Sequence, residues 1–435
     1  MMSRRIFVVA IVLCLFLIIS LKAFAAGSGA LRIEVPDAGP FGMGSAFVGQ
    51  ADRPSAVYYN PAGLTQIKKE QFSDGFAVVA PQISYTDSSG VETQARQQTF
   101  LVPHFYTAMP LGFSKAVLGF GANSSWGTGV YWAEDSFARY QGTNGELENL
   151  DAMLTLAYPL TEQWSFAVSA DADDSKASTN KKVAQAGVGD DANFQLKAKS
   201  LGWGYRLATM FKINDQHQVG LMYRSPIRHK FRGKAYLNDL NDNGTYPLNT
   251  IFGGGSYGTE LSEEYVLPQS IILGYSFKPT SKWVINADAE WMDWRSVQQE
   301  RINWEDETDP DRLGILNNGN PVQHDWEAVW SEAVGVQYSW SDRLRLRGGY
   351  FHIETPIPQQ TFDSSLPDSD VDGLTTGFGY DIKENLTFDF AYSAVMYRSR
   401  KVFNTVGQNG GGLDISGTYR QFTNVGMVTI TYKFK

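Results

Sequence analysis

Leu201-Gly202-Trp203-Gly204-Tyr205-Arg206-Leu207-Ala208-Thr209-Met210-Phe211-Lys212-Ile213 carries two patterns interleaved. Its odd positions read Leu, Trp, Tyr, Leu, Thr, Phe, and its even positions Gly, Gly, Arg, Ala, Met, Lys. A period of two is the signature of a β-strand with two different faces. The same alternation recurs along the chain. Trp283, Ile285, Ala287, Ala289 and Trp291 share one face, with Asn286, Asp288 and Glu290 on the other. Val334, Val336, Tyr338 and Trp340 alternate with Ala333, Gly335, Gln337 and Ser339. Leu386, Phe388, Phe390 and Tyr392 alternate with Thr387, Asp389, Ala391 and Ser393.

The connections between strands sort by length. Six are tight polar turns, at 111–115, 161–163, 214–217, 279–282, 341–343 and 383–385. Seven are long polar segments, roughly 86–99, 127–148, 173–198, 232–263, 304–327, 354–369 and 403–415. Together they join 14 strands of an all-β, antiparallel meander. Short turns at one end and long loops at the other is the layout of a bacterial outer-membrane barrel. Only a closed barrel leaves no unpaired strand edge in lipid. Val428, Ile430, Tyr432 and Phe434 continue the alternation to the C-terminus, where Lys435 follows the last aromatic residue. Strands of this kind are read by the barrel-assembly machinery, which is expected to be a partner.

The N-terminus is consistent with export. Arg4 and Arg5 precede an apolar run from Ile6 to Ile19, and Ala23-Phe24-Ala25 supplies a small-x-small cleavage site. Residues 1–25 therefore read as a signal peptide, too short in its apolar run to span a bilayer. The only cysteine, Cys14, lies inside that leader, so the mature chain is expected to have no disulfide and no thiolate metal site. Three of the 37 basic residues (Arg4, Arg5, Lys22) also lie there, which makes the mature chain more acidic than the overall net charge of −9. A chain this acidic overall argues against nucleic acid as a partner. The 26 Phe, 21 Tyr and 11 Trp suit the aromatic girdles of a membrane barrel in a Gram-negative outer membrane, bounded by its lipid and lipopolysaccharide.

A lumen enclosed by that many strands is too wide for its own side chains to fill. Residues 26–66 lack strand alternation, are rich in Gly, Pro and Ala, and are too few for an independent domain. Phe41, Phe47, Tyr58, Tyr59 and Leu64 would be out of place in a solvated tail. The segment is expected to be an N-terminal hatch that plugs the lumen, with residues 67–435 forming the barrel.

The hatch segment carries a resemblance. Gly42-Met43-Gly44-Ser45-Ala46-Phe47, Ala51-Asp52 and Ser55-Ala56-Val57-Tyr58-Tyr59-Asn60-Pro61-Ala62-Gly63-Leu64 resemble the FadL/TodX family of outer-membrane long-chain fatty-acid and hydrocarbon transport proteins. Asn60-Pro61-Ala62 looks like that family's NPA motif. Tyr223-Arg224-Ser225-Pro226 is similar to its Tyr-Arg-Ser strand, and Leu267-Pro268 with Trp283 to Ser296 gives a third match. The resemblance implies a monomeric barrel, an apolar capture site among the external loops, a deeper headgroup site, and lateral exit through a bend in the third strand. Passive transport of long-chain fatty acids is the function implied; the alternative within the same fold is uptake of neutral aromatic or aliphatic hydrocarbons.

Particular residues suit that route. Gly119, Gly121, Gly127 and Gly129 in and after the third strand are lateral-gate candidates, since glycine in a strand marks a bend or bulge. A carboxylate headgroup needs a buried cation. By parity Arg206, Arg224, Arg345 and Arg347 face the lumen, and Lys176 lies just after the fifth strand, near where the family places a headgroup cation. A second basic position expected before the tenth strand falls near Val322, Gln323 and His324. Alternatively these arginines pair with Asp288, Glu290 and Asp389 and hold the hatch. Glu305, Asp306, Glu307, Asp309 and Asp311 read as a solvated loop rather than a calcium site, and the five histidines lack metal spacing. No cofactor is expected. No nucleophile, base and orienter form a catalytic set, so an enzyme is not expected; the plug disfavours a non-selective porin.

Overall fold

The computed structural model describes residues 29–112, 114–185, 190–243, 246–403 and 414–434; the expected leader lies outside them. The chain forms a closed barrel of 14 antiparallel strands. In chain order β1 is Gln71–Thr86, β2 Phe100–Pro110, and β3 Val117–Asn123 with a continuation Thr128–Tyr131. β4 is Asn144–Pro159, β5 Trp164–Val183 and β6 Ala192–Lys212. β7 runs His217–Arg224 and Ile227–Asn238, and β8 runs Ser256–Leu267 and Ser270–Thr280, each broken at a proline. Trp283–Asp293, Ala328–Ser339 and Leu344–Ile353 are β9, β10 and β11; Val371–Lys383, Leu386–Tyr397 and Gly417–Lys433 are β12, β13 and β14. The ring is closed by β1 against β14, in register from Gln71↔Lys433 to Thr86↔Thr418.

The six tight turns lie where the alternation stops, at one end of the barrel. On β6 the odd residues are exposed (Leu201 56%, Trp203 66%), whereas Arg206 and Met210 face inward and are buried. The apolar face thus points out, as lipid requires. Three of the expected loops need correction. Within 127–148, Thr128–Tyr131 pairs with β4, which already begins at Asn144. Within 173–198, β5 continues to Val183 and β6 begins at Ala192; within 232–263, β7 runs to Asn238 and β8 starts at Ser256. The ladders persist there, but the outward positions change from Leu, Trp and Tyr to Lys176, Lys197, Lys199 and Arg232. Without an apolar outer face, the two-sided contrast that marks a membrane strand is lost.

Residues Ala30–Ile67 lie inside the ring and are almost all buried. They include two single-turn helices, α1 (Ala38–Phe41) and α2 (Ala56–Tyr59), and a 3-10 helix over Pro61–Gln66. Phe47, Val57, Tyr58, Tyr59 and Leu64 pack on the wall residues Tyr106, Met153, Met210, Met222 and Ile272. Polar contacts reach around the ring: Thr429 of β14 to Ala38 N–H, Thr375 of β12 to Gly44 N–H, and Asp288 of β9 to the N–H groups of Phe47 and Val48. Inward glycines allow this closeness. A Cβ on Gly220 would strike the Val48 carbonyl, and one on Gly335 the Met43 carbonyl.

Candidate functional site

Asn60 fixes the segment to the wall. Its Oδ1 accepts the Ala62 N–H at 3.1 Å, capping the 3-10 helix, while Nδ2 donates to the carbonyls of Val48 (3.0 Å) and Thr209 of β6 (3.2 Å). Pro61 needs no N–H partner at the first helical position. The carbonyl of Ala62 accepts from Ser165 of β5 at 3.0 Å. The Asn-Pro-Ala triplet is therefore a structural knot between the inner segment and two strands.

At the long-loop end is a cavity of about 980 Å³. Phe194, Leu237, Ile251, Ile302 and Trp304 are among its apolar lining residues, and Lys181, Lys182, Glu300 and His324 among its charged groups. Lys181 has its Nζ 5.3 Å from the centroid of the Phe194 ring. Among the described residues it has no ion-pair partner, although Asp363 and Glu300 act on it electrostatically. His324 Nε2 lies 3.0 Å from Glu300 Oε2. Burial works against both charges, yet the contact prevails: Glu300 raises the His324 pKa, and His324 lowers that of Glu300. Beneath the cavity Trp126, Trp294 and Trp326 stand edge to face, with ring centroids 5.7 and 5.1 Å apart.

Deeper in the barrel the expected cations differ sharply. Arg206, 1% exposed, is held by Asp171 (2.7 Å), Asp151 (2.8 Å) and the Tyr58 carbonyl (3.1 Å). Arg345 is paired with Asp381, and Arg347 with Asp389. Arg224, 2% exposed, has no hydrogen-bond partner among the described residues for any of its three guanidinium nitrogens. It lies 5.1 Å from the Tyr58 ring centroid and lines a cavity of about 50 Å³ with Arg32, Glu34 and Glu290. Arg32 itself is bonded to Glu290 and Glu34. Lys176 requires a correction: it is exposed on the outer face of β5, because buried Ser175 takes the inward position. The cations at this end of β5 that line a cavity are Lys181 and Lys182, of which Lys182 is paired with Glu134; sequence reading missed Lys181 because the segment read as loop, and an inward parity carried past residue 175 would have found it.

The glycines of β3 also separate. Gly119 and Gly121 lie in regular ladder, paired with Ala108 and Tyr106 of β2. Their missing side chains make room for Leu64 and Val57 of the inner segment, so they are packing positions. The break comes afterwards, at Ser124–Gly127. The β2–β3 ladder ends at His104↔Asn123, and Thr128–Tyr131, which contains Gly129, pairs with β4 alone. The top of β2, Phe100–Pro103, pairs only with β1 among the described residues. A gap in the wall results, bounded above by the Arg96 N–H donated to the Tyr131 carbonyl at 2.8 Å. On its inner side the broken segment turns to the lumen and pairs with the N-terminal chain: Ile33 N–H donates to Ser125 O (2.9 Å) and Gly127 N–H to Leu31 O (2.7 Å). Ile33 shares a hydrophobic cluster with Phe100 and Val102 of β2 and so covers the gap from within.

The chain matches a family model described as outer membrane protein transport protein (OMPP1/FadL/TodX) over residues 17–434. It is 25% identical to a putative outer membrane protein of Neisseria meningitidis serogroup B, over 90% of this chain and 91% of that one. It is 24% identical to the long-chain fatty acid transport protein of Escherichia coli K12, over 88% and 91%. Among solved structures, a FadL homologue of Pseudomonas aeruginosa superposes with a TM-score of 0.80 at 18% identity, covering 93% of this chain and 100% of that one. The toluene transporter TodX of P. putida gives 0.68 at 18%, covering 95% and 99%.

Proposed function

This chain belongs to the outer membrane protein transport family (OMPP1/FadL/TodX), whose members carry hydrophobic molecules and are not enzymes, and on that premise we propose that its cargo is a long-chain fatty acid taken up passively. The ligand enters the loop cavity with its chain against Phe194, Ile251 and Trp304 and its carboxylate at Lys181. It then passes the tryptophan cluster to Arg224 and leaves sideways through the gap between β2 and β3 once Ile33 withdraws. The N-terminal segment acts as the hatch. The observation that carries this reading is that two cations without ion-pair partners among the described residues, Lys181 and Arg224, each line a cavity. A buried charge left unpaired is costly, and an anion that visits it recovers that cost.

A second reading, uptake of neutral hydrocarbons, is favoured by one fact: the other basic groups of the cavity already have counter-ions, His324 in Glu300 and Lys182 in Glu134. Binding of oleate and of dodecane to the purified barrel separates the two. Lys181→Ala should weaken oleate binding at least tenfold, the effect of one charge-assisted hydrogen bond of about 1.5–3 kcal/mol, and leave dodecane unchanged. Equal loss of both ligands, or of neither, would remove the fatty-acid assignment.

A further inference from the structure

The extensions of β5, β6 and β7 above the apolar band carry an unusual outer face. Lys176, Lys197, Lys199, Arg228, Lys230, Arg232 and Lys234 are all exposed and alternate with buried inward residues. Their registers place like charges directly opposite one another. Lys199 faces Lys176 on one side and Arg232 on the other, and Lys197 faces Lys234. Carboxylates stand at the edges: Glu148 opposite Lys176, Asp174 below it, and Glu260 and Glu264 on β8. Only Arg228 (to Glu264, 3.1 Å) and Lys234 (to Glu260, 3.7 Å) are ion-paired among the described residues. Like charges opposite one another destabilise a sheet. In a chain of net charge −9, this clustering calls for a counter-ion from outside.

The height of the row identifies that counter-ion. On β6 the lipid-facing residues run from Leu201 to Phe211. The ten steps between them, at roughly 3.3 Å each and tilted by about 40°, span about 25 Å, the height of an outer-membrane apolar band. Lys199 is the next outward residue above Leu201, so the row sits at the level of lipid headgroups. Cross-strand neighbours lie about 5 Å apart, close enough for one phosphate to touch two or three of these cations. We infer that the outer wall of β5–β7 is a binding site for a phosphorylated lipid of the outer leaflet, with the Lys176–Lys199–Arg232 row holding a phosphate monoester as in lipopolysaccharide. Carboxylate or zwitterionic headgroups do not match a row of three adjacent cations, whereas a phosphate monoester carries nearly two negative charges at neutral pH. This site is independent of the cargo.

The test is titration of the full-length barrel in detergent with diphosphorylated lipid A, against the same lipid after dephosphorylation, read by native mass spectrometry. The wild type should retain the phosphorylated form preferentially, and the preference should fall as salt rises. Lys176→Gln, Lys199→Gln and Arg232→Gln should each weaken retention by about fivefold, and the triple variant by about a hundredfold. Should the triple variant fold poorly, Lys199→Gln alone carries the comparison. Lys68→Gln/Lys69→Gln/Lys115→Gln, at the turn end, removes the same charge and should retain the lipid as the wild type does. Equal retention of both lipids by the wild type, an unaffected row variant, or an equal loss in the turn-end variant would overturn the assignment.

Discussion

Arg206 and Arg224 stand opposite each other in the β6–β7 ladder, both buried and both near the Tyr58 ring, yet their energetics are opposite. Arg206 neutralises two buried aspartates, so Arg206→Met should cost about 3–5 kcal/mol by leaving Asp151 and Asp171 unpaired. Arg224 neutralises nothing within hydrogen-bond reach, so Arg224→Met should raise the melting temperature while slowing fatty-acid transit. Thermal unfolding of the two variants in detergent checks this; a destabilised Arg224→Met would show that the guanidinium has a structural partner. Asn60 gives a second test. Asn60→Ala loses two donated bonds, each worth about 1–3 kcal/mol when a buried acceptor is stranded. Asn60→Asp keeps the helix cap but sets a carboxylate against two carbonyls, and should be less stable still. Parity along the sequence revealed that these arginines face inward. It could not reveal which has a counter-ion, because the partners of Arg206, Asp151 and Asp171, come from other strands; of the expected partners, Asp389 does pair with Arg347.

The broken third strand shows what a single element adds. Its glycines drew attention to Gly119 and Gly121, but these accommodate Leu64 and Val57, and the ladder fails only at Ser124. No periodicity in the sequence announces that Arg32 and Trp126 face each other across an antiparallel bridge. The flanking bonds make them a non-hydrogen-bonded pair, about 4.5 Å apart at Cα, within disulfide range. The double variant Arg32→Cys/Trp126→Cys, oxidised, should block uptake of a hydrophobic dye into proteoliposomes, and reductant should restore it. Uptake that ignores the redox state would mean that the segment need not move. The Gln299–Glu300 strand, paired with Val322–Gln323, sets a pH response. His324, with its pKa raised, contributes stability below its unfolded value of about 6.5 and loses it as pH rises through the folded value. Glu300, lowered, contributes above its ordinary value of 4.5 and loses that as pH falls through the folded value. In the folded protein the pair stays intact until the pH passes the raised value of His324, above which Glu300 loses its imidazolium partner. Oleate affinity should therefore fall as the pH rises through that value, and His324→Gln should flatten the profile.

At the scale of the molecule, membrane-embedded wall was legible from sequence wherever lipid on one side and packed lumen on the other imposed two faces, as on Leu201–Phe211. Above the bilayer that contrast ends, and the long extensions of β5 to β8 were unreadable for the same reason that their lysines matter. Inward glycines were equally silent, since only the assembled barrel shows the carbonyls of Met43 and Val48 resting on Gly335 and Gly220. Gly220→Val/Gly335→Val should leave the wall ladders in place but displace the inner segment. Single-channel conductance in planar bilayers should then rise well above the wild type; a folded variant with unchanged conductance would show that the plug tolerates a shift. The seam between β1 and β14 has a consequence for folding. Every other principal ladder joins neighbours in the chain, whereas this one joins Gln71 to Lys433. Hairpins can form early, but closure must bring together strands more than 300 residues apart, and such high contact order slows folding. Until then two long strand edges remain open to foreign partners. Once shut, they can part only by giving up a ladder from Gln71 to Thr86 together, so the barrel's persistence is a matter of rate as much as of equilibrium.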